Sequence, residues 1–250
     1  MARGGLLAGG LCALWLVFAC SSIPGTLKSP SPSSLNIVTI CNSYVSGNSK
    51  ASIFQLTDHA EQFMSAASHA NIKGARLASV SDRELTHAEL FEAIMRYDSP
   101  ETLTIAFIAS HGSPEGFLLH DPLSFDELYS RLDSDSKGKV LLIVDMCYAG
   151  VLNEVLSKHH SSRIFAITGT RGKSLERWYR GSGSFGKAVS NAMAATDYTR
   201  FGGGLTFGRF YDMIEGDIRD WNSRYSHADG PISDAGMYGP RELVLFGSNS

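Results

Sequence analysis

Short segments rich in Val, Ile and Leu alternate along the chain with segments whose apolar residues recur at a helical spacing. The short segments predict strands at residues 34–41, 72–79, 101–112, 139–147, 163–169 and 241–247. Such alternation is typical of a mainly parallel sheet that carries helices on both faces. The sequence therefore predicts an α/β fold with about six strands.

Length and composition narrow the class of protein further. The 250 residues are 43% hydrophobic and 19% charged, with a net charge of −3. This composition is ordinary for a globular protein, and the length suits one α/β domain better than two. Basic residues are scattered along the chain, which argues against a positively charged surface for nucleic acid. We expect no nucleic-acid partner.

The first 19 residues are an apolar segment with one early basic residue, Arg3. Its apolar run, residues 6–19, is shorter than the roughly 20 residues that span a membrane, and its size is typical of a signal peptide. Residues 20–34 are rich in Ser and Pro, which predicts a flexible or extended linker. We assign 1–19 to a signal peptide, 20–34 to a linker and 35–250 to the folded domain of an exported protein.

Cys20 follows Val17, Phe18 and Ala19 in an arrangement that resembles a bacterial lipobox. In that motif the signal is cut before the cysteine, and lipid is attached to its thiol. The resemblance implies lipidation of Cys20 and a membrane anchor at the bacterial cell envelope. In the alternative, the segment is an ordinary secretory signal and Cys20 is incidental.

Two of the predicted strands end in chemically reactive residues. His111 lies at the end of one strand, and Asp145 and Cys147 lie at the end of the next. His111 and Cys147 are 36 positions apart. Open parallel sheets hold their sites beyond the carboxyl ends of the strands, so both side chains are expected in one cleft. A thiol is a useful nucleophile as a thiolate, and imidazole can take its proton near neutral pH. The spacing predicts a catalytic His/Cys pair. In the simpler interpretation, Cys147 is an inert core residue and His111-Gly112 is an ordinary turn.

Small residues surround the predicted pair. Gly112 leaves room for a substrate carbonyl beside His111, and Ala149 and Gly150 keep the turn after Cys147 small. Backbone N–H groups at Gly112 and Cys147 are therefore candidates for an oxyanion site during acyl transfer.

Two segments carry a resemblance to a known family. Phe107–Gly112 (FIASHG) and Ile143–Gly150 (IVDMCYAG) resemble the His-Gly and Asp-x-Cys-x-Ser/Ala-Gly signatures of caspase-like cysteine peptidases. That group includes caspases, metacaspases, paracaspases and legumains. Residues 58–63 with 85–94, and residues 183–193, resemble helices of the same family. The resemblance extends from residue 35 to residue 247 and implies a three-layer α/β/α sandwich.

The resemblance also implies a reaction. Cys147 would be the nucleophile that forms a thioester with a peptide or protein substrate, and His111 would be the acid/base. No cofactor and no metal ion are expected. Two alternatives stay open, namely a catalytically inactive domain that binds peptides and a legumain-like enzyme that cleaves after Asn or transfers the acyl group to an amine.

Asp145 lies two residues before Cys147, so strand alternation places both side chains on one side of the sheet. The resemblance to metacaspases implies that this carboxylate binds the residue before the cut bond and that cleavage follows a basic residue. By the same resemblance Ser174 is a candidate pocket residue. In the alternatives, Asp145 pairs with Arg171 or Lys173, as a legumain-like pocket would allow, or it caps the helix that begins near residue 151.

The remaining cysteine and histidine residues receive other assignments. Cys41 and Cys147 would form a disulfide only if their strand ends adjoin. His159 and His160 have no metal-ligand spacing and are expected on the surface. The helical histidines His59, His69 and His87 are expected to face solvent.

Overall fold

A computed structural model describes residues 32–42, 50–70, 72, 74–82, 85–173, 185–196, 204–225 and 233–247. Within these ranges, no helix combines the length and the apolar character that crossing a membrane requires. The predicted signal peptide, most of the linker, Cys20 and Ser174 lie outside the described residues.

The described residues form ten strands and six helices. The strands are β1 (Ser34–Asn42), β2 (Ala75–Asp82), β3 (Thr102–Ala109), β4 (Gly116–Phe117), β5 (Leu123–Ser124), β6 (Lys139–Asp145), β7 (Ile164–Thr168), β8 (Leu205–Thr206), β9 (Gly236–Tyr238) and β10 (Val244–Phe246). The helices are α1 (Lys50–His69), α2 (His87–Met95), α3 (Phe125–Asp135), α4 (Gly150–His159), α5 (Phe185–Ala194) and α6 (Phe207–Tyr225).

Six of these strands form a central sheet in the order β2-β1-β3-β6-β7-β9. All neighbouring pairs are parallel except β7 with β9, which is antiparallel. The predicted α/β class, the mainly parallel sheet and the number of strands in it are therefore confirmed. The identity of the sixth strand was wrong, because residues 244–246 pair with β8 outside this sheet and the short strand β9 takes the edge position.

Helices cover both faces of the sheet. Successive strand residues point to opposite sides, and both sides present apolar side chains for helices to pack on. Phe107 of β3 packs in one apolar cluster with residues of α1, α5 and α6, whereas its neighbour Ile108 packs in a second cluster with residues of α2, α3 and α4. Phe63 of α1 stacks on Phe107 with ring centroids 4.8 Å apart. Each fully buried ring of this kind stabilises the fold by about 1.5–3 kcal/mol. The result is the predicted three-layer sandwich.

Side-chain caps fix where α2 and α3 begin. Ser124 caps α3 by accepting a bond of 3.1 Å from the backbone N–H of Glu127. At α2, Thr86 and Glu89 make the reciprocal bonds of a full capping box. The carboxylate of Glu127 lies 3.5 Å from the ring of His87, so α2 and α3 are linked on the face opposite α1.

Candidate active site

The two predicted reactive segments lie side by side because β3 and β6 are neighbours in the sheet. Ala109, the last residue of β3, pairs with Asp145, the last residue of β6, in a parallel register of 36 positions. The backbone N–H of Ser110 continues the ladder by donating to the Asp145 carbonyl at 3.2 Å. The same 36 positions separate His111 from Cys147. His111 and Cys147 therefore lie at the same level beyond the carboxyl ends of β3 and β6.

Gly112 brings the two segments into backbone contact. A Cβ atom at this position would lie 2.5 Å from the carbonyl oxygen of Cys147 and would also clash with the side chain of Met146. The two segments therefore approach as closely as a glycine permits. Gly112 and Phe117 form an isolated antiparallel bridge, flanked by bonds that use His111 and Ser113. The N–H of a residue in such a pair points away from its partner, so the N–H of Gly112 points away from Phe117.

His111 is held by its backbone, and its imidazole is half-buried. Its carbonyl oxygen accepts bonds from the N–H of Leu118 at 3.0 Å and from the hydroxyl of Ser110 at 3.1 Å. Among the described residues, its buried Nε2 atom has no hydrogen-bond partner. Burial lowers the pKa of His111, which keeps the ring neutral near pH 7. A neutral ring is able to accept a proton.

Asn42 braces this segment from the neighbouring strand β1. Its fully buried side chain donates to the hydroxyl of Ser110 at 3.2 Å and to the carbonyl of Leu118 at 2.8 Å. Sequence reasoning assigned no role to Asn42. The available signal was an amide directly after the eight residues of the predicted strand 34–41, where a buried polar group must find partners.

Cys147 lies in a tight turn between β6 and α4. It is half-buried and follows Met146, whose side chain packs in the apolar cluster formed with α2, α3 and α4. Tyr148 adopts a left-handed conformation with φ of 61°, which is uncommon for a bulky residue. Helix α4 begins three residues after the thiol, at Gly150, and the N-terminal end of a helix favours a nearby negative charge.

The turn is supported from behind, which explains the small residues that follow Cys147. Ala149 is fully buried, and the N–H of Gly150 donates to the hydroxyl of Thr170 at 3.1 Å. A Cβ atom on Gly150 would overlap the backbone of Gly172 and lie 2.5 Å from the carbonyl carbon of Arg171. The loop after β7 therefore fixes the position of the turn.

Asp145 is fully buried and is paired with a histidine that sequence reasoning placed wrongly. His59 of α1 is only 8% exposed, and its Nδ1 lies 2.8 Å from Oδ2 of Asp145. The expectation that His59 faces solvent was therefore wrong. Four positions separate His59 from Phe63, a core residue of the same helix face, and this spacing was the signal that pointed to burial.

The surroundings of this pair are also tight. A Cβ atom on Gly186, near the start of α5, would clash with the Asp145 carboxylate and lie 2.7 Å from Nδ1 of His59. Oδ1, the other carboxylate oxygen of Asp145, has no hydrogen-bond partner among the described residues. Burial lowers the pKa of His59, but the charge of Asp145 and the hydrogen bond to it outweigh burial, so the net pKa of His59 is raised.

In the structure, Asp145 neither pairs with the described residues of the loop after β7 nor caps α4, the two alternatives that the sequence left open. Arg171 forms ion pairs with Glu215 at 3.0 Å and with Asp234 at 3.2 Å. The N-cap of α4 is Ala149, and it makes no side-chain capping bond. The carboxylate is therefore tied to α1 rather than to the loop after β7 or to the start of α4.

Cys41 and Cys147 are not joined by the disulfide that the sequence left open. Strand β3 lies between β1 and β6, so their ends are two strand spacings apart, about 9.6 Å, beyond the reach of a disulfide. Cys41 is buried and lies 3.7 Å from the hydroxyl of Thr57. Burial raises the pKa of its thiol.

Three further histidines contact groups outside the proposed catalytic pair. His69 is exposed and contacts the carbonyl of Ser65 in its own helix, and His87 lies 2.8 Å from the carbonyl of Asp121. His159 stacks on Tyr129 with ring centroids 4.3 Å apart. Within the described parts of the chain, no group of three or more His, Cys, Asp or Glu side chains is arranged to hold a metal ion.

Comparisons with known proteins place the fold. No family model matches the sequence, and no curated protein is similar to it in sequence. Among solved structures, caspase-1 from Spodoptera frugiperda is similar, with a TM-score of 0.59 and 13% sequence identity. The match covers 88% of this chain and 92% of that one. Together with the sheet order and the three layers, this similarity shows that the chain has a caspase-like fold.

Proposed function

We propose that the protein is a cysteine endopeptidase in which Cys147 is the nucleophile and His111 is the acid/base. The observation that carries the proposal is the parallel register between β3 and β6, which sets these two residues level beyond adjacent strand ends. The caspase-like fold supports the general class of cysteine peptidase. The half-buried thiol and the buried, unpaired Nε2 of His111 within the described region support a pair that meets substrate there.

The proposed reaction begins when the neutral His111 ring takes the proton of the Cys147 thiol. The sulfur attacks the carbonyl carbon of the peptide bond, and the N–H groups of Gly112 and Cys147 stabilise the resulting oxyanion. The C–N bond breaks as the His111 imidazolium protonates the leaving amine, which leaves a thioester. Water, deprotonated by His111, then attacks the thioester and releases the carboxylate product and the thiol.

The preferred substrate is proposed from Asp145. Strand alternation predicts its side chain on the same side as that of Cys147, and Oδ1 is buried with no hydrogen-bond partner in the described structure. A carboxylate oxygen in that state favours a cationic group, which supports cleavage after Arg or Lys.

A panel of fluorogenic peptides ending in Arg, Lys, Asn or Asp tests this proposal. We expect turnover of the Arg and Lys peptides, loss of turnover in Cys147→Ala and a decrease of at least about 100-fold in His111→Ala. The matched control is His69→Ala, which removes an exposed histidine and should keep full turnover. Turnover of the Asn peptide alone would indicate legumain-like specificity. No turnover together with no labelling by an acylating thiol probe would indicate a peptide-binding domain and overturn the proposal.

The proposal extends to location. The predicted signal peptide and the lipobox-like sequence before Cys20 support export and a lipid anchor at the bacterial cell envelope. Mass spectrometry of the amino-terminal peptide of the mature protein tests this extension. A chain that begins at a lipid-modified Cys20 is expected, and a mature chain that begins elsewhere with an unmodified cysteine would contradict the anchor.

A further inference from the structure

The buried pair of His59 and Asp145 lies beside the proposed active site but takes no part in the reaction described above. Asp145 offers two carboxylate oxygens, and they have different surroundings. Oδ2 is 2.8 Å from Nδ1 of His59, whereas Oδ1 has no hydrogen-bond partner among the described residues. Asp145 is 0% exposed and His59 is 8% exposed, so water screens their interaction poorly. One oxygen is therefore bonded within the protein, and the other is buried without a partner, a costly state that a bound cationic group would relieve.

The charge of this pair depends on the proton of His59. When His59 is charged, the pair with the Asp145 carboxylate is neutral overall, and a cationic substrate side chain meets an imidazolium as well as a carboxylate. When His59 is neutral, its N–H still holds Oδ2, but the pair carries one full negative charge. Attraction of a cationic side chain at Oδ1 is then stronger, because no second cation is present at the same carboxylate.

We infer that His59 is a specificity-determining residue that controls the preference of the site for a basic substrate residue through the charge it places on Asp145. The inference rests on the proposed peptidase site, since it takes the cleft beside Cys147 to be where substrate binds. Selectivity for a basic residue is weak while His59 is protonated and increases when His59 loses its proton.

Neighbouring charges decide where this change falls on the pH scale. Asp58 on α1 acts on His59, and Cys41 on β1 interacts with Asp145 and with Glu61 of α1. The other titratable groups on segments next to the pair are His111 beyond β3, Cys147 beyond β6 and Lys187, which follows Gly186 on α5. The charge of Asp58 raises the pKa of His59 in addition to Asp145. The change in selectivity is therefore expected above about pH 6.5, the ordinary value for histidine.

The position of Gly186 makes His59 difficult to replace by another cation. The backbone of α5 closes over the pair so tightly that even a Cβ atom there would clash. A longer Lys or Arg side chain at position 59 would have to displace α5. Asn fits better, because its amide nitrogen occupies a position similar to Nδ1 and donates a hydrogen bond without carrying charge.

The experiment compares two fluorogenic peptides that differ only in having Arg or its uncharged isostere citrulline before the cut bond. The ratio of their kcat/KM values is measured from about pH 5.5 to 8.5, a range that brackets the ordinary histidine pKa. Titration of His111 or Cys147 affects both peptides and cancels in this ratio, and the guanidinium does not titrate in this range. We expect the wild-type ratio to rise about tenfold with pH, which corresponds to about 1.4 kcal/mol.

The variant His59→Asn should show a high ratio that does not depend on pH, whereas His69→Asn, with an exposed residue changed in the same helix, should behave as the wild type. A wild-type ratio that is constant with pH would overturn the inference, as would a His59→Asn profile identical to that of the wild type. The wild-type profile needs no substitution, so the inference stays testable even if His59→Asn does not fold.

A binding measurement separates this inference from the peptidase proposal. Cys147→Ala is titrated calorimetrically with peptides ending in arginine amide and in citrulline amide over the same pH range. If the wild type cleaves neither peptide but the variant prefers arginine increasingly with pH, the peptidase proposal is wrong and the selectivity inference stands. If the wild type cleaves both with a constant ratio, the inference is wrong and the peptidase proposal stands. Neither cleavage nor binding would overturn both.

Discussion

The two cysteines of the folded domain occupy the same end of the sheet and have opposite surroundings. Cys41 is still within β1, is 1% exposed and packs in the apolar cluster formed with α1, α5 and α6. Cys147 comes two residues after β6 ends and is half-buried in a turn that leads into α4. Cys41, inside its strand, therefore has a thiol that belongs to the apolar core. Cys147, two residues beyond the end of its strand, has a thiol that is placed to meet a substrate.

The largest expected contrast between the two thiols is in their reactivity. Alkylation of the native protein by iodoacetamide should modify Cys147 at least about 100-fold faster than Cys41, because burial both shields the Cys41 thiol and raises its pKa. Peptide mass spectrometry after timed quenching measures both rates in one sample. In urea the rates should converge. Equal rates in the native protein would mean that Cys147 is not a distinct reactive site.

The next effect concerns the support under the turn that holds Cys147. Gly150→Ala should destabilise the fold by about 3 kcal/mol, because the added methyl meets backbone atoms of residues 171 and 172 that cannot rotate away. The matched control is Gly216→Ala in α6, where nothing lies within 4 Å, and it should stabilise by about 0.5–1 kcal/mol. Urea unfolding measures both. Similar changes in the two variants would show that the turn is not rigidly supported.

The smallest effect concerns the backbone of the turn itself. Tyr148→Gly and Tyr148→Ala both remove the ring, but only glycine accepts φ of 61° without cost. The glycine variant should therefore be more stable than the alanine variant by about 1 kcal/mol, the reverse of their order in a helix. Thermal unfolding of the two proteins provides the comparison. An alanine variant of equal or greater stability would rule out backbone strain next to Cys147.

Local sequence patterns predicted the strands and helices that decide the placement of the site. β3 and β6 are continuous apolar segments, and their adjacency follows from a crossover that carries α3. Strand β9 escaped prediction because it has three residues, one of them glycine, and its place at the sheet edge depends on its pairing with β7. Residues 244–246 looked equally apolar but pair with β8, a choice made by tertiary contacts that periodicity does not reveal.

The contacts of the site were harder to predict, because several of its residues pair with partners that are distant in the sequence. The spacing of 36 residues was visible in the chain, but the pairing of Asp145 with His59 joins positions 86 residues apart. Arg171 and Lys173 were considered as partners because they are closer along the chain, whereas folding brings His59 of α1 next to the end of β6. The brace from Asn42 to Ser110, across 68 residues, has the same origin.

Because β3 and β6 pair directly in parallel, the relative position of His111 and Cys147 does not depend on the length of the chain between the two strands. Residues 113–138 form a hairpin and a helix on the outside of the sheet, and additions there would leave the ladder from Leu103 to Asp145 in place. One residue added inside either strand would instead turn its terminal side chain to the other face. Diverging relatives can therefore remodel the crossover freely, whereas the seven paired positions of the two strands tolerate no change in length.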